Sequence, residues 1–96
     1  MELLVHPVAR RELAQALDWC GDRYGRDAAD RLLNRFFKVG ELLLREPEIG
    51  TPSGRRAREF PLQRFPFTLV YRIEGESIHV VALKHQRRMP GYWAGR

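Results

Sequence analysis

The first half of the chain has apolar residues at helical spacing. Residues 2–6 form a short, mostly apolar run that fits either a first strand or the start of a helix. Proline is favoured at the first helical position and glycine just after the last one, so Pro7 and Gly25 predict a helix between them. The apolar face of this helix is formed by Leu13, Ala16, Leu17, Cys20 and Tyr24.

A second helix is predicted directly after the first. Asp27 is a suitable N-cap residue, and Pro47 ends the helical pattern. Gly40 costs about 1 kcal/mol inside a helix, and we expect that it lets the first helix approach closely. So short a connection predicts an antiparallel helical hairpin. The second helix presents an apolar face made of Ala29, Leu32, Leu33, Phe36, Gly40 and Leu43.

The apolar pattern changes to strands in the second half, after the loop segment PEIGTPSG. Residues 55–60 fit a short charged strand, and residues 65–74 and 77–84 are rich in β-branched and aromatic side chains. Gly75 lies between these two strands and suits the first central position of a two-residue type II′ turn.

This turn sets a register that places an apolar face toward the helices. The opposite face is half apolar and half polar, so we expect it to be left to solvent or to a partner. The predicted pairs are Ile73 with Ile78, Tyr71 with Val80 and Leu69 with Ala82 on the first face, and Arg72 with His79, Val70 with Val81 and Thr68 with Leu83 on the second.

The elements together predict one α+β domain over residues 1–96. A helical hairpin packs on one face of an antiparallel sheet of three or four strands. The order is β-α-α-β-β-β, followed by a C-terminal tail.

Charge is unevenly distributed along the chain. Residues 1–54 have eight Lys or Arg against nine Asp or Glu, a net charge of −1, whereas residues 55–96 have nine against three, a net charge of +6. A basic half of this kind indicates an anionic partner, either an acidic protein segment or nucleic acid. A plain nucleic-acid-binding module is disfavoured, because aromatic residues do not alternate with the basic ones.

Several classes of site are not expected. Cys20 is the only cysteine, so no internal disulfide forms, which fits a reducing compartment. The N-terminus does not resemble a signal peptide, and apolar runs are too short to span a membrane, which favours a cytoplasmic protein. His6 has no partner at ligand spacing, so we expect no metal. No glycine-rich phosphate loop or nucleophile set is present, and we expect no cofactor.

Three segments in this order resemble the RelE/ParE superfamily of bacterial toxins from type II toxin–antitoxin systems. They are LLLREPEIGTP, RFPFTLVYRIEGESIHVV and ALKHQRRMPGYW, and the resemblance extends nearly from end to end. It implies a toxin that arrests growth and is neutralised by a cognate antitoxin. One branch of the superfamily cuts messenger RNA on the ribosome, and the ParE-like branch inhibits DNA gyrase by protein–protein contact.

The residues favour the ParE-like branch. Thr68 stands where the RNA-cutting branch has an arginine on its central strand, and Gln86, beside Arg87, stands where it has a second. Tyr92 does match a tyrosine in the tail of that branch. His85 directly after the last strand, with arginine following, is similar to the ParE-like branch. So is Phe-Pro-Phe at residues 65–67.

The resemblance implies contact residues on the basic half and an antitoxin with an acidic, amphipathic toxin-binding segment. We expect Trp93 to anchor the tail, which leaves Tyr92 more accessible to a partner. Trp19 lies off the main apolar face and fits either secondary packing or a partner groove. If the chain is instead an endoribonuclease, its catalytic residues are His85, Arg87, Arg88 and Tyr92. The candidates for binding gyrase or the antitoxin are Arg56, Arg58, Arg72, His85, Arg87, Arg88 and Tyr92.

Overall fold

A computed structural model describes residues 1–87 and 91–96 of the chain. Two helices pack on one face of a five-stranded sheet with the strand order β1-β5-β4-β3-β2. The fold class and the helical hairpin predicted from the sequence are confirmed. The elements are β1 (Glu2–Val5), α1 (Pro7–Tyr24), α2 (Arg26–Arg45), β2 (Thr51–Pro52), β3 (Ala57–Pro61), β4 (Phe67–Glu74) and β5 (Ser77–His85).

The sheet has more strands than the sequence predicted, and it is mixed rather than antiparallel. β1 pairs with β5 in parallel, from Glu2↔Ser77 to Val5↔Val80. β2 is a two-residue edge strand inside the segment that was predicted as a loop. Neither feature has a strong local signal, because a short edge strand is defined by its neighbour and not by its own pattern.

Both helices begin and end with local backbone signals. The His6 side chain caps α1 by accepting a hydrogen bond from the Val8 N–H at 3.1 Å. Gly25 then separates the helices with φ of 92°, a conformation that favours glycine. The predicted N-cap at Asp27 was therefore wrong, since α2 starts at Arg26 with Gly25 as its cap.

Gly40 has a different neighbour from the one predicted. A Cβ at this position would lie 3.0 Å from Cδ2 of Leu3, so Gly40 makes room for β1 and not for α1. The buried face of α2 is also rotated slightly from the prediction, with Ala29 and Leu33 only half-buried. Its fully buried residues are Ala28, Leu32, Phe36, Val39, Gly40 and Leu43.

The β4–β5 hairpin follows the predicted turn but not the whole predicted register. Gly75 has φ of 58°, as the first position of a type II′ turn requires. A bulge at Val81 then shifts the pairing by one residue. Beyond the bulge the pairs are Val70↔Ala82, Leu69↔Leu83 and Thr68↔Lys84.

This bulge changes which side chains face the helices. Leu83 joins the core on the helix side, while Ala82 turns to the opposite face with Val70 and Val81. Leu69, Tyr71 and the other predicted helix-side residues lie where they were expected. The prediction was wrong for Ala82 alone among the six, because sequence alternation does not show where an extra residue enters a strand.

The second face of the sheet is covered by residues 91–96, which we call the strap. Trp93 is 2% exposed and packs on Ala57, Val70, Val81 and Ala82. The expectation that this face is open to solvent or a partner was therefore wrong. Truncating a buried tryptophan to alanine typically costs about 3–5 kcal/mol, so the strap is part of the folded structure.

Candidate functional site

A trench runs along α2, between this helix and the connection from β3 to β4. Its larger part has a volume of about 640 Å³, and a second part of about 230 Å³ continues it. The two parts share Arg35 and Lys38. We define the trench by the residues Trp19, Tyr24, Arg31, Asn34, Arg35, Lys38, Val39, Leu42, Phe60, Pro61, Gln63, Arg64, Phe65 and Pro66.

The trench combines an apolar floor with a cationic rim. Arg31, Arg35 and Lys38 are spaced by four and three residues, so they line one side of α2. Arg64 faces them from the β3–β4 connection, where it adopts φ of 75°. None of the described residues lining the trench is acidic. Such a surface fits a ligand that combines apolar side chains with negative charge.

An aromatic cluster surrounds Trp19, one of the residues that line the trench. The Trp19 ring packs edge-on against Phe67, with centroids 5.6 Å apart, and against His85 at 6.1 Å. The Arg23 guanidinium lies 5.3 Å from the Trp19 ring centroid. Trp19 therefore packs against neighbouring rings and also lines the trench. These are the two roles that its position in the sequence left open.

His85 ends β5 and is held on two sides. Its ring centroid lies 5.4 Å from that of Phe67, and its Nδ1 accepts a hydrogen bond from the Arg87 N–H at 3.2 Å. Arg87 itself is exposed. This places one candidate cation at the surface, next to a histidine whose ring is oriented by its neighbours.

A buried hydroxyl fixes the loop between α2 and β3. Tyr71 is fully buried, donates to the Pro47 carbonyl at 2.6 Å and accepts from the Gly50 N–H at 2.9 Å. Burial raises the pKa of the Tyr71 hydroxyl, while the Gly50 hydrogen bond and the Arg58 charge act in the opposite direction. The Arg58 guanidinium donates to the Glu48 and Gly50 carbonyls at 2.9 and 2.7 Å.

Glu12 holds the strap at the edge of the sheet. Its carboxylate accepts hydrogen bonds from the Tyr92 hydroxyl at 2.8 Å and from the Leu83 N–H at 3.1 Å. It also forms a salt bridge with Arg96, at 2.8 Å. Tyr92 is half-buried. It is therefore more accessible than the buried Trp93, as predicted, but it is not fully exposed.

Arg72 holds the strap from the sheet. Its guanidinium donates to the Arg96 and Ala94 carbonyls at 2.7 and 3.3 Å and lies 5.7 Å from the Trp93 ring centroid. The predicted anchor role of Trp93 is confirmed. Its indole Nε1 is buried without a hydrogen-bond partner among residues 1–87 and 91–96.

The predicted contact residues that the structure describes are held by different parts of the fold. Arg72 and Tyr92 lie with the strap, whereas Arg58 reaches the loop after α2 and His85 packs toward α1. Arg56 is exposed in the turn before β3, with φ of 61°. Arg88 lies outside the described residues. The contact role of each residue stays a prediction.

Sequence reasoning missed two parts of the site. The stripe of Arg31, Arg35 and Lys38 was visible at helical spacing, but its position beside the β3–β4 connection was not. Glu12 had no local signal, since its partners Leu83 and Arg96 are 71 and 84 residues away in the chain.

Comparison with known protein families decides the family of the chain. Residues 3–90 match the model of the ParE toxin of the type II toxin–antitoxin system parDE. The chain belongs to the ParE toxin family. No curated protein sequence matches it. Membership shows a ParE-like toxin of a toxin–antitoxin system, and it implies a cognate antitoxin as a partner.

The fold of this ParE-family chain is shared with a solved structure described as the chromosomal ParDE toxin–antitoxin system from P. aeruginosa. The TM-score is 0.78, with 22% identity over 88% of this chain and 95% of that one. The likeness at this identity concerns the fold alone.

The described part of this ParE-family chain contains no cluster of three or more His, Cys, Asp or Glu side chains that could hold a metal ion. No described helix is long and apolar enough to cross a membrane.

Proposed function

We propose that this ParE-family toxin arrests bacterial growth in the cytoplasm by inhibiting DNA gyrase through protein–protein contact, and that a cognate antitoxin neutralises it. The gyrase target is an expectation of the ParE-like branch. The contact residues on the target side are the exposed cations Arg56 and Arg87, together with His85 and Arg88.

The observation that carries the antitoxin part is the trench. Its floor includes Phe60, Phe65 and Trp19, and its rim is cationic along α2 and at Arg64. An amphipathic helix places apolar residues on one face and acidic residues beside them, which matches this arrangement. The same trench is a poor match for an uncharged apolar partner, because the arginines would lose hydration without compensation.

Protein contact is supported over RNA cleavage by how the candidate catalytic groups are engaged. The Tyr92 hydroxyl already donates to Glu12, and the Nδ1 of His85 already accepts from the Arg87 N–H. Thr68 stands on β4 where the RNA-cutting branch has an arginine. An endoribonuclease needs cations and a proton-transfer group arranged around one phosphate.

The test is expression of the chain alone, followed by parallel assays of its target. We expect growth arrest, inhibition of gyrase supercoiling by the purified protein, and intact messenger RNA. Co-expression with the cognate antitoxin, to be sought as a short acidic protein encoded beside this chain, is expected to restore growth. Cleaved messages with normal supercoiling would replace gyrase inhibition with endoribonuclease activity, and a Tyr92→Phe variant would then cleave more slowly.

A further inference from the structure

Three non-glycine residues of the described chain have a left-handed backbone, and all three are arginines. Arg55, Arg56 and Arg64 adopt φ of 47°, 61° and 75°. Asparagine, aspartate and histidine are the side chains that commonly adopt this conformation, and arginine has no such advantage, so each position costs free energy of folding. All three residues are exposed, so burial does not offset that cost.

Arg55 and Arg56 lie at the tip of the connection from β2 to β3. The Gly54 carbonyl accepts from the Ala57 N–H at 2.8 Å, which places the two arginines at the central positions of a turn. Positive φ at both central positions is the type I′ arrangement, which normally takes Asn-Gly or Gly-Gly. We call residues 54–57 the arginine turn.

The arginine turn is held in this conformation from the sheet. The Arg72 Nε donates to the Arg55 carbonyl at 3.2 Å, and the same guanidinium donates to the Arg96 carbonyl of the strap at 2.7 Å. The Ser53 N–H donates to the Ala57 carbonyl at 2.8 Å. Strained backbone persists only where the surrounding structure fixes it, and it occurs often at binding and catalytic sites.

Neither guanidinium of the arginine turn is engaged within the part of the chain that the structure describes. No hydrogen bond, ion pair or ring contact there involves the side chain of Arg55 or Arg56. The side chains of Arg58, Arg72 and Arg96, in contrast, all donate to partners inside the chain. The turn thus has a conformational cost that no described contact offsets, which is typical of a surface that binds a partner.

Two adjacent guanidiniums suit carboxylates on a protein surface. Each can bind a carboxylate through two parallel N–H···O bonds, and a turn that is already fixed needs little further ordering on binding. Affinity for nucleic acid depends on the number of phosphates neutralised and on base stacking. The turn supplies only two cations, and residues 53–57 contain no aromatic side chain.

The arginine turn is separate from the trench. It precedes the first residue of β3, whereas the trench includes the last two, Phe60 and Pro61. The strand from Arg56 to Phe60 extends on the order of 13 Å. A segment that fills the trench therefore need not cover the turn.

We propose that the arginine turn binds an acidic protein surface of the growth-arrest target, with Arg55 and Arg56 as the contact residues. This inference rests on the proposed function and adds to it Arg55 and the chemistry of the surface that is bound. The fixed backbone limits the positions of the two guanidiniums before binding, and their charges attract the carboxylates of the target.

Two double variants separate charge from backbone conformation. Arg55→Gln with Arg56→Gln removes both charges and keeps long side chains on the left-handed backbone. Arg55→Asn with Arg56→Gly removes the charges and introduces the preferred type I′ sequence, so its melting temperature should rise by about 4 °C or more. Arg10→Gln with Arg11→Gln is the matched control, since these arginines are also adjacent and exposed but lie on α1 outside the trench.

Arrest is measured as the inducer concentration that halves the growth rate, at equal expression of folded protein checked by circular dichroism. We expect this concentration to rise about tenfold in both turn variants, as for loss of a central contact, and to stay within about twofold of wild type in the control. Capture of the cognate antitoxin should stay within about twofold in all three, because none of the changed residues lines the trench.

Unchanged arrest in both turn variants would overturn the inference, and so would an equal loss in the control. An Asn-Gly variant that melts no higher than wild type would show that the turn is not strained. Weakened capture with intact arrest would assign the turn to the antitoxin, and duplex DNA binding that both turn variants lose would assign it to nucleic acid; either result rejects the acidic target. Wild-type arrest without supercoiling inhibition would reject gyrase and leave the comparison between variants intact.

Discussion

At the scale of single residues, Tyr71 shows how one buried hydroxyl fixes a distant loop. Its oxygen bonds both the Pro47 carbonyl and the Gly50 N–H. We expect Tyr71→Phe to lower the free energy of unfolding by about 1–3 kcal/mol, because it leaves buried polar groups unpaired. Urea unfolding measures this change. Tyr24→Phe is the control, since Tyr24 is 66% exposed and its loss should be nearly neutral.

The same residue makes stability depend on pH in the alkaline range. Burial raises the pKa of Tyr71 above its ordinary value of 10.0, so the native state binds this proton more tightly than the unfolded state. The stabilisation is complete below that value and is lost as pH rises through the higher native pKa. The stability difference between wild type and Tyr71→Phe should therefore narrow above pH 10, and a constant difference would contradict the assignment.

At the scale of elements, the loop after α2 depends on a glycine for its packing and not for its φ angle. A Cβ at Gly50 would lie 2.6 Å from the Tyr71 hydroxyl and 3.0 Å from the Glu59 carbonyl oxygen. Gly50→Ala is expected to cost about 1–3 kcal/mol, as overpacking does, because the backbone of β3 cannot move aside. Thermal unfolding measures the loss. Gly95→Ala, where a Cβ meets nothing within 4 Å, should melt like wild type.

The elements also show which local sequence patterns were sufficient to predict the ends of helices and the positions of turns. Pro7 and Gly25 bound α1 as predicted, and Gly75 placed the β4–β5 turn. The bulge at Val81 was not predictable, because an extra residue in a strand leaves the surrounding alternation almost unchanged. The hairpin was therefore predicted correctly near its turn and shifted by one residue beyond the bulge.

At the scale of the whole molecule, the basic residues of the second half are not all available at the surface for a partner. Arg58, Arg72 and Arg96 are basic residues of that half, and each is engaged in contacts within the chain. Three of the four trench cations belong instead to α2, in the half with a net charge of −1. Net charge along the sequence therefore did not show that most of the trench cations come from α2.

This distribution predicts how antitoxin capture responds to salt and to charge reversal. Lys38→Glu places an anion in the trench and should weaken capture about tenfold or more, whereas Arg45→Glu, on the same helix outside the trench, should change it little. Capture should also weaken as salt rises from 0.05 to about 0.5 M, because screening reduces charge attraction. Surface plasmon resonance measures both effects. Equal losses in the two variants would indicate general attraction rather than the trench.

The sequence alone determined the helical hairpin, the β4–β5 turn, the burial of Tyr71 and Trp93, and the resemblance to ParE-like toxins. These features depend on periodicity, turn chemistry and segments that keep their order along the chain. Only the tertiary structure decided that β1 joins the sheet in parallel, that the strap covers the second face, and that Glu12 holds it. The physical reason is that these features depend on contacts between residues far apart in the chain, and no local pattern encodes such contacts.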